Sequence, residues 1–248
     1  MKSDLDFLLP GKWMNAAGTA GFIPDKRFIS IFPDVALFIT NPISYQGRKP
    51  ASQRNIIPFQ GGFLVHSGHP NPGLKKVVPL YRKAWENSPI PICVNLLSDD
   101  SDFIEKIVRT IENIDNIVAI ELGLDVFLNK EDVGKILDAA LGELPIILSI
   151  PFEFVYQDWL KELLFPEIVA ISVQAPKGIL QFEGNYIRGR LYGRSIFHLT
   201  LNAVQHLSSI GKPIFAGVGV LQEQQITMLL ETGATNFQAH ELIWRNNI

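Results

Sequence analysis

Three arginines crowd the stretch Tyr186-Ile187-Arg188-Gly189-Arg190-Leu191-Tyr192-Gly193-Arg194-Ser195. Guanidinium groups beside glycine backbone, ahead of a helix that Ser195 is placed to cap, can hold a phosphate or carboxylate through paired N–H donors and the positive helix end. Arg190, Arg194 and Ser195 are therefore candidate ligands for a small anionic molecule. The plainer alternative is a solvated loop whose arginines pair with carboxylates such as Glu183. A second candidate is Asn15-Ala16-Ala17-Gly18-Thr19-Ala20-Gly21-Phe22, a short strand running into residues with almost no side chain. A flat ligand could lie against such bare backbone, although an ordinary glycine turn has the same composition.

The remaining reactive side chains read as structural. His66 and His69 have a spacing that serves a metal only on a helix, and the Gly and Pro residues around them argue against one; no third ligand is evident, so no metal is expected. His240-Glu241 would be an acid–base pair, but adjacent residues on a helix do not face each other. His198 and His206 fall within a helical stretch. Cys93 sits in the apolar run Ile90-Pro91-Ile92-Cys93-Val94 and reads as a core thiol. Phe152, Phe154, Tyr156 and Trp159 either close a pocket mouth or pack a helix onto its sheet, packing being the commoner use.

Eight short apolar runs must position these groups: residues 14–17, 35–40, 90–96, 117–122, 145–150, 168–173, 213–218 and 235–238. Continuous rather than alternating apolar strands mean burial on both faces, as in a parallel sheet covered by helices. Helical stretches lie between them. Asp99-Asp100-Ser101-Asp102 precedes a stripe of Phe103, Ile104, Ile107, Val108 and Ile111, so carboxylates occupy the positive end of a helix with one buried face. Residues 130–141, 157–165, 195–210 and 222–232 follow the same pattern. The prediction is an α/β fold: a single (β/α)8 barrel over residues 1–248, with its ligand end at the carboxyl ends of the strands. The long Gly- and Pro-rich connection 41–73 surrounds Gly61-Gly62-Phe63-Leu64-Val65, which predicts a hairpin lid after the second strand.

Composition narrows the function classes. With 47% hydrophobic and 19% charged residues in 248, the chain has ample material for one large core. A formal charge of −3 and a pI near 6.0 supply no positive field for nucleic acid or an anionic membrane, so neither is an expected partner. No long uncharged apolar run occurs, and Met1-Lys2-Ser3-Asp4-Leu5-Asp6 lacks the layout of a signal peptide, so a cytoplasmic location is expected.

Taken in order, these pieces resemble the dihydroorotate dehydrogenase family of flavin barrels over nearly the whole chain. The resemblance rests on Asn15-Ala16-Ala17-Gly18-Thr19, Gly47-Arg48-Lys49-Pro50 with Arg54, Gly61-Gly62-Phe63-Leu64 and Gly68-His69-Pro70-Asn71-Pro72-Gly73. It continues through Val94-Asn95-Leu96, Ile120-Glu121-Leu122, Gly189-Arg190-Leu191-Tyr192-Gly193 and Gly217-Val218-Gly219-Val220. It implies a TIM barrel, FMN-dependent oxidoreduction and a possible homodimer. FMN would then lie against Ala16, Ala17, Gly18, Asn41, Asn95 and Gly219, with Asn71 among the substrate-side residues.

The chemistry-bearing positions of that family are changed here. Its flavin-facing lysine after the second strand corresponds to Asn41, and its phosphate-contacting lysine of the fifth strand falls on Ser149. The loop that carries its proton-removing cysteine or serine is replaced by Gly123-Leu124-Asp125, so no general base is evident. A substrate-contacting asparagine of the hairpin falls at Val65. Val218 replaces one of its paired glycines, and its last phosphate-binding glycine and threonine become His240 and Glu241. A carboxylate at that position repels a phosphate. The expectation is a dihydroorotate dehydrogenase-like barrel without the family's oxidation. The alternative is a non-catalytic barrel that binds another small anion or a partner protein.

Overall fold

The computed structural model describes residues 5–51, 56–97 and 100–246. Arg54, Asp99 and the first four residues, named above, lie outside them. In chain order β1 (Trp13–Asn15) and β2 (Phe38–Ile39) precede a hairpin of β3 (Ile56–Phe59) and β4 (Gly62–Val65). Then come β5 (Ile92–Leu97), β6 (Ile117–Gly123), β7 (Ile146–Ile150) and β8 (Ile168–Val173). A second hairpin, β9 (Lys177–Phe182) and β10 (Asn185–Tyr192), is followed by β11 (Ile214–Ala216) and β12 (Asn236–Ala239). The helices are α1 (Lys26–Ile31), α2 (Leu74–Glu86), α3 (Ser101–Ile111), α4 (Lys130–Ala140), α5 (Phe197–Leu207), α6 (Glu223–Thr232) and α7 (Glu241–Asn246).

Eight parallel strands in the order β1-β12-β11-β8-β7-β6-β5-β2 form the predicted barrel, and all eight apolar runs supply one strand each. The seam between β1 and β2 carries a parallel bridge between Met14 and Leu37, and a side chain reinforces it. Asn15, fully buried, accepts from the Ile39 N–H at 2.9 Å and donates to the Ile39 carbonyl at 2.7 Å, extending the ladder where two short strands run out of backbone partners. Outward-facing Ile, Leu and Val residues of the strands pack against the helices in one continuous core.

The second sheet is antiparallel, in the order β3-β4-β10-β9. The predicted hairpin lid is present, but it is half of a larger cover. Residues 185–192, read from the sequence as an arginine loop, form a strand between β4 and β9. Two further expectations are corrected. Residues 158–163 form a 3₁₀ helix, because Pro166 follows directly after residue 165 and disfavours helical backbone before it. Ser195 is not a helix cap: it lies in a 3₁₀ turn, donates its backbone N–H to the Gly61 carbonyl at 3.1 Å, and leaves Ile196 as the N-cap of α5.

Candidate functional site

Barrel strands point alternate residues inward, and the composition of that inner face changes along each strand. The lower layer is apolar: Met14, Ile39, Cys93, Ala119, Ile147, Ala170 and Phe215 form one buried cluster. Cys93 is thus the core thiol expected, and burial pushes its ionisation upward. Two residues further along, the same strands carry Asn95, Glu121, Ser149 and Ser172, with Gln238 on β12. Glu121, 1% exposed, is their hub. Its Oε1 accepts from Ser172 Oγ at 2.7 Å and Gln238 Nε2 at 2.8 Å, and its Oε2 accepts from Asn95 Nδ2 at 2.8 Å. Burial raises the Glu121 pKa, opposed by the three donors and the charge of Arg190.

Above this layer lies a cavity of about 120 Å³. Ala16, Ala17 and Pro42 form part of its wall, Asn95, Glu121, Ser149 and Gln238 line it from the polar layer, and Arg48, His69, Arg190 and His240 face it. Arg190 reaches it from the lid strand β10, with Nη1 donating a long 3.4 Å hydrogen bond to the Ala175 carbonyl. Its charge acts on Glu121, His69, His240 and Tyr192, joined at His69 by the charge of Arg48. Gln174, just past β8, uses its Nε2 on the Leu124 and Ser149 carbonyls at 3.1 and 2.8 Å.

His240 gives the first test of this electrostatic picture. Burial, then the nearby Arg190 charge, lowers its pKa to about 3, and burial with Arg190 and Arg48 lowers that of half-buried His69 to about 4. Both rings are neutral in the fold, whereas an unfolded chain takes up the protons near pH 6.5. Their contribution to stability is therefore lost as the pH falls below that value. His240 alone should remove about 2 kcal/mol between pH ~7.5 and ~5. Urea titrations at both pH values should show a shallower acid loss in His240→Gln than in the unaltered protein; equal losses contradict the assignment.

Glu241, the first residue of α7, is buried beside this cavity and holds two backbone amides. Its Oε1 accepts from the Gly193 N–H at 2.9 Å and the Gly219 N–H at 2.8 Å, while Oε2 is buried without a partner among the described residues. Both donors must be glycine. Gly193 has φ 115° and a Cβ there would lie 2.4 Å from Gly62 Cα; Gly219 has φ 84° and a Cβ there would lie 2.5 Å from Phe197 N. Burial raises the Glu241 pKa, opposed by the N–H groups of Gly193, Glu241 itself and Gly219.

The residues singled out from the sequence divide clearly. Ala16, Ala17, Asn95 and Arg190 converge on the cavity. Gly18 has φ 81°, a left-handed conformation that favours glycine, and Asn41 accepts from the Gly21 N–H at 3.2 Å. Asn71 is committed to its own loop, meeting Ser44, the His69 carbonyl and the Gly73 N–H. Gly219 serves Glu241. Arg194 and Ser195 are exposed and do not line the cavity, because strand alternation sends Arg190 inward while the 3₁₀ turn carries them outward. Among the described residues no three His, Cys, Asp or Glu side chains come together as a metal set. Phe154 packs edge-on against Trp159 at 5.1 Å, away from the cavity. Glu121, Ser172, Gln174 and Gln238 were not singled out; a carboxylate inside the apolar run 117–122 was the available signal.

Among the described residues no helix is long and apolar enough to cross a membrane. No protein-family model and no curated protein sequence matches the chain. Among solved structures, the dihydroorotate dehydrogenase of Eimeria tenella in complex with ferulenol is similar at a TM-score of 0.73, with 13% identity over 94% of this chain and 76% of that one. At that identity the likeness establishes the fold alone, an α/β TIM barrel.

Proposed function

We propose that this barrel binds a small anionic ligand in its mouth and does not use flavin mononucleotide, so it is a dihydroorotate dehydrogenase-like protein without that family's oxidoreduction. The observation that carries the reading is Glu241 seated on the Gly193 and Gly219 amides. By the resemblance, Gly219 and position 241 belong to the phosphate cradle of a bound flavin nucleotide. Here a carboxylate of the chain takes those donors, and a second anion brought against it meets repulsion in a poorly solvated setting.

The size of the cavity supports the same conclusion. Cavities of roughly 150 Å³ hold a molecule the size of benzene, and drug-sized ligands occupy roughly 300–1,000 Å³. At about 120 Å³ the mouth matches the smaller class better than a whole flavin nucleotide. For the anion, Arg190 is the partner, since paired guanidinium N–H groups match a carboxylate or phosphate.

Purified protein should be colourless and leave flavin mononucleotide fluorescence unchanged, while small anions such as propionate and inorganic phosphate raise its melting temperature. Arg190→Ala should weaken that anion binding by about tenfold or more, and Arg194→Ala should leave it unchanged. A preparation that takes up flavin stoichiometrically and shows its visible absorption band overturns the reading.

A further inference from the structure

The polar atoms around the cavity are unequally matched. Among the described residues, four buried side-chain polar atoms have no hydrogen-bond partner, and two of them, Gln174 Oε1 and His240 Nε2, belong to residues lining this cavity. Both side chains are more than nine-tenths buried, at 9% and 7% exposure. The Gln174 amide cannot be turned round, because its Nε2 faces two carbonyl oxygens. Its oxygen is therefore the atom left over, and it can only accept. The His240 ring is neutral, and with its proton on Nδ1 its Nε2 accepts as well. Glu121 adds a third acceptor: a carboxylate offers about four acceptor sites, and three of them are taken.

Buried acceptors without donors are costly, and no hydrogen bond from the described residues reaches Gln174 Oε1 or His240 Nε2. An ammonium group brings three donors and a positive charge, which is what one carboxylate and two neutral acceptors ask for. On the lid side stands the opposite chemistry. Arg190 carries five N–H donors and makes one long hydrogen bond among the described residues.

We propose that the cavity recognises a compact amino acid, its carboxylate held by Arg190 and its ammonium by Glu121, Gln174 Oε1 and His240 Nε2. This inference rests on the anion-binding reading above and assigns the other end of the ligand. Donors on the lid and unmatched acceptors below favour a zwitterion over a simple acid, since the acid leaves the buried acceptors unmatched.

Calorimetric titration of the unaltered protein with L-alanine, L-aspartate, β-alanine and 4-aminobutyrate tests it against the same acids without nitrogen: propionate, succinate and butyrate. At least one amino acid should bind about tenfold or more tightly than its deaminated counterpart. Gln174→Met should weaken the amino acid and leave the deaminated acid unchanged, whereas Arg190→Gln should weaken both. Deaminated acids that bind as tightly as the amino acids overturn the inference and leave the anion reading standing. Absence of binding by all four amino acids also overturns it, and uptake of flavin fails the parent reading separately.

Discussion

Replacing Glu241 with alanine should cost about 2–4 kcal/mol of stability, and inorganic phosphate should restore part of it. The loss follows from the two glycine amides. Gly193 and Gly219 are both buried and both donate to one carboxylate oxygen, so truncation leaves two N–H groups with neither protein partner nor free access to water. Such orphaned donors cost roughly 1–3 kcal/mol each, and relief from burying a carboxylate offsets part of the total. Glu241→Gln keeps an acceptor oxygen in place and should stay within about 1 kcal/mol of the unaltered protein. The rescue is the more informative half. Phosphate can occupy the vacated amides, and at a hundredfold excess over its dissociation constant it returns about 2.7 kcal/mol. Thermal melts of both proteins across a phosphate series read this directly. If Glu241→Ala melts like the unaltered protein and ignores phosphate, Glu241 does not hold the cradle.

Removing the carboxylate at the centre of the barrel should cost more. Glu121→Ala strands three donors at once, Ser172 Oγ, Gln238 Nε2 and Asn95 Nδ2, in a layer that closes over the apolar interior. Breaking a buried network by deleting its charged member typically costs about 3–5 kcal/mol. Glu121→Gln should lose less, because the Asn95 amide can turn its oxygen toward the new NH₂ group. Urea denaturation of both variants measures the difference. An alanine variant no less stable than the glutamine one means the network contributes nothing beyond filling space.

The barrel was legible because parallel strands buried on both faces leave a plain mark. Each of the eight apolar runs became a strand, with ends displaced by a few residues. Cys93 and Arg190 were also legible, one from its apolar neighbours and one from its glycine-flanked setting. Other elements were hidden for physical reasons. Helix α2 contains Pro79, which interrupts the usual helical signature. Strand β10 pairs locally with β9 across Glu183-Gly184, but its other partner, β4, lies far back in the chain, and strand pairing at that separation has no local signal. Asn41 and Asn71 are polar residues in loops, and loop backbone consumed their hydrogen-bonding capacity before any ligand could. Glu121 carries no local mark beyond its place in a strand, since the layer that gives it meaning is assembled from five strands.

Because the cover over the mouth draws one hairpin from the first half of the barrel and one from the second, it works as a clasp. The hydrogen bond between His66 Nδ1 and the Arg188 carbonyl joins residues 122 apart, and the β4–β10 ladder lies beside it. Closing so long a span carries an entropic penalty that only a largely assembled barrel can offset. Arg190 is therefore held in place by both hairpins together. The two halves of the molecule must be docked for the Arg190 guanidinium to stand at the mouth, so this part of the mouth is a product of the whole fold and not of either half.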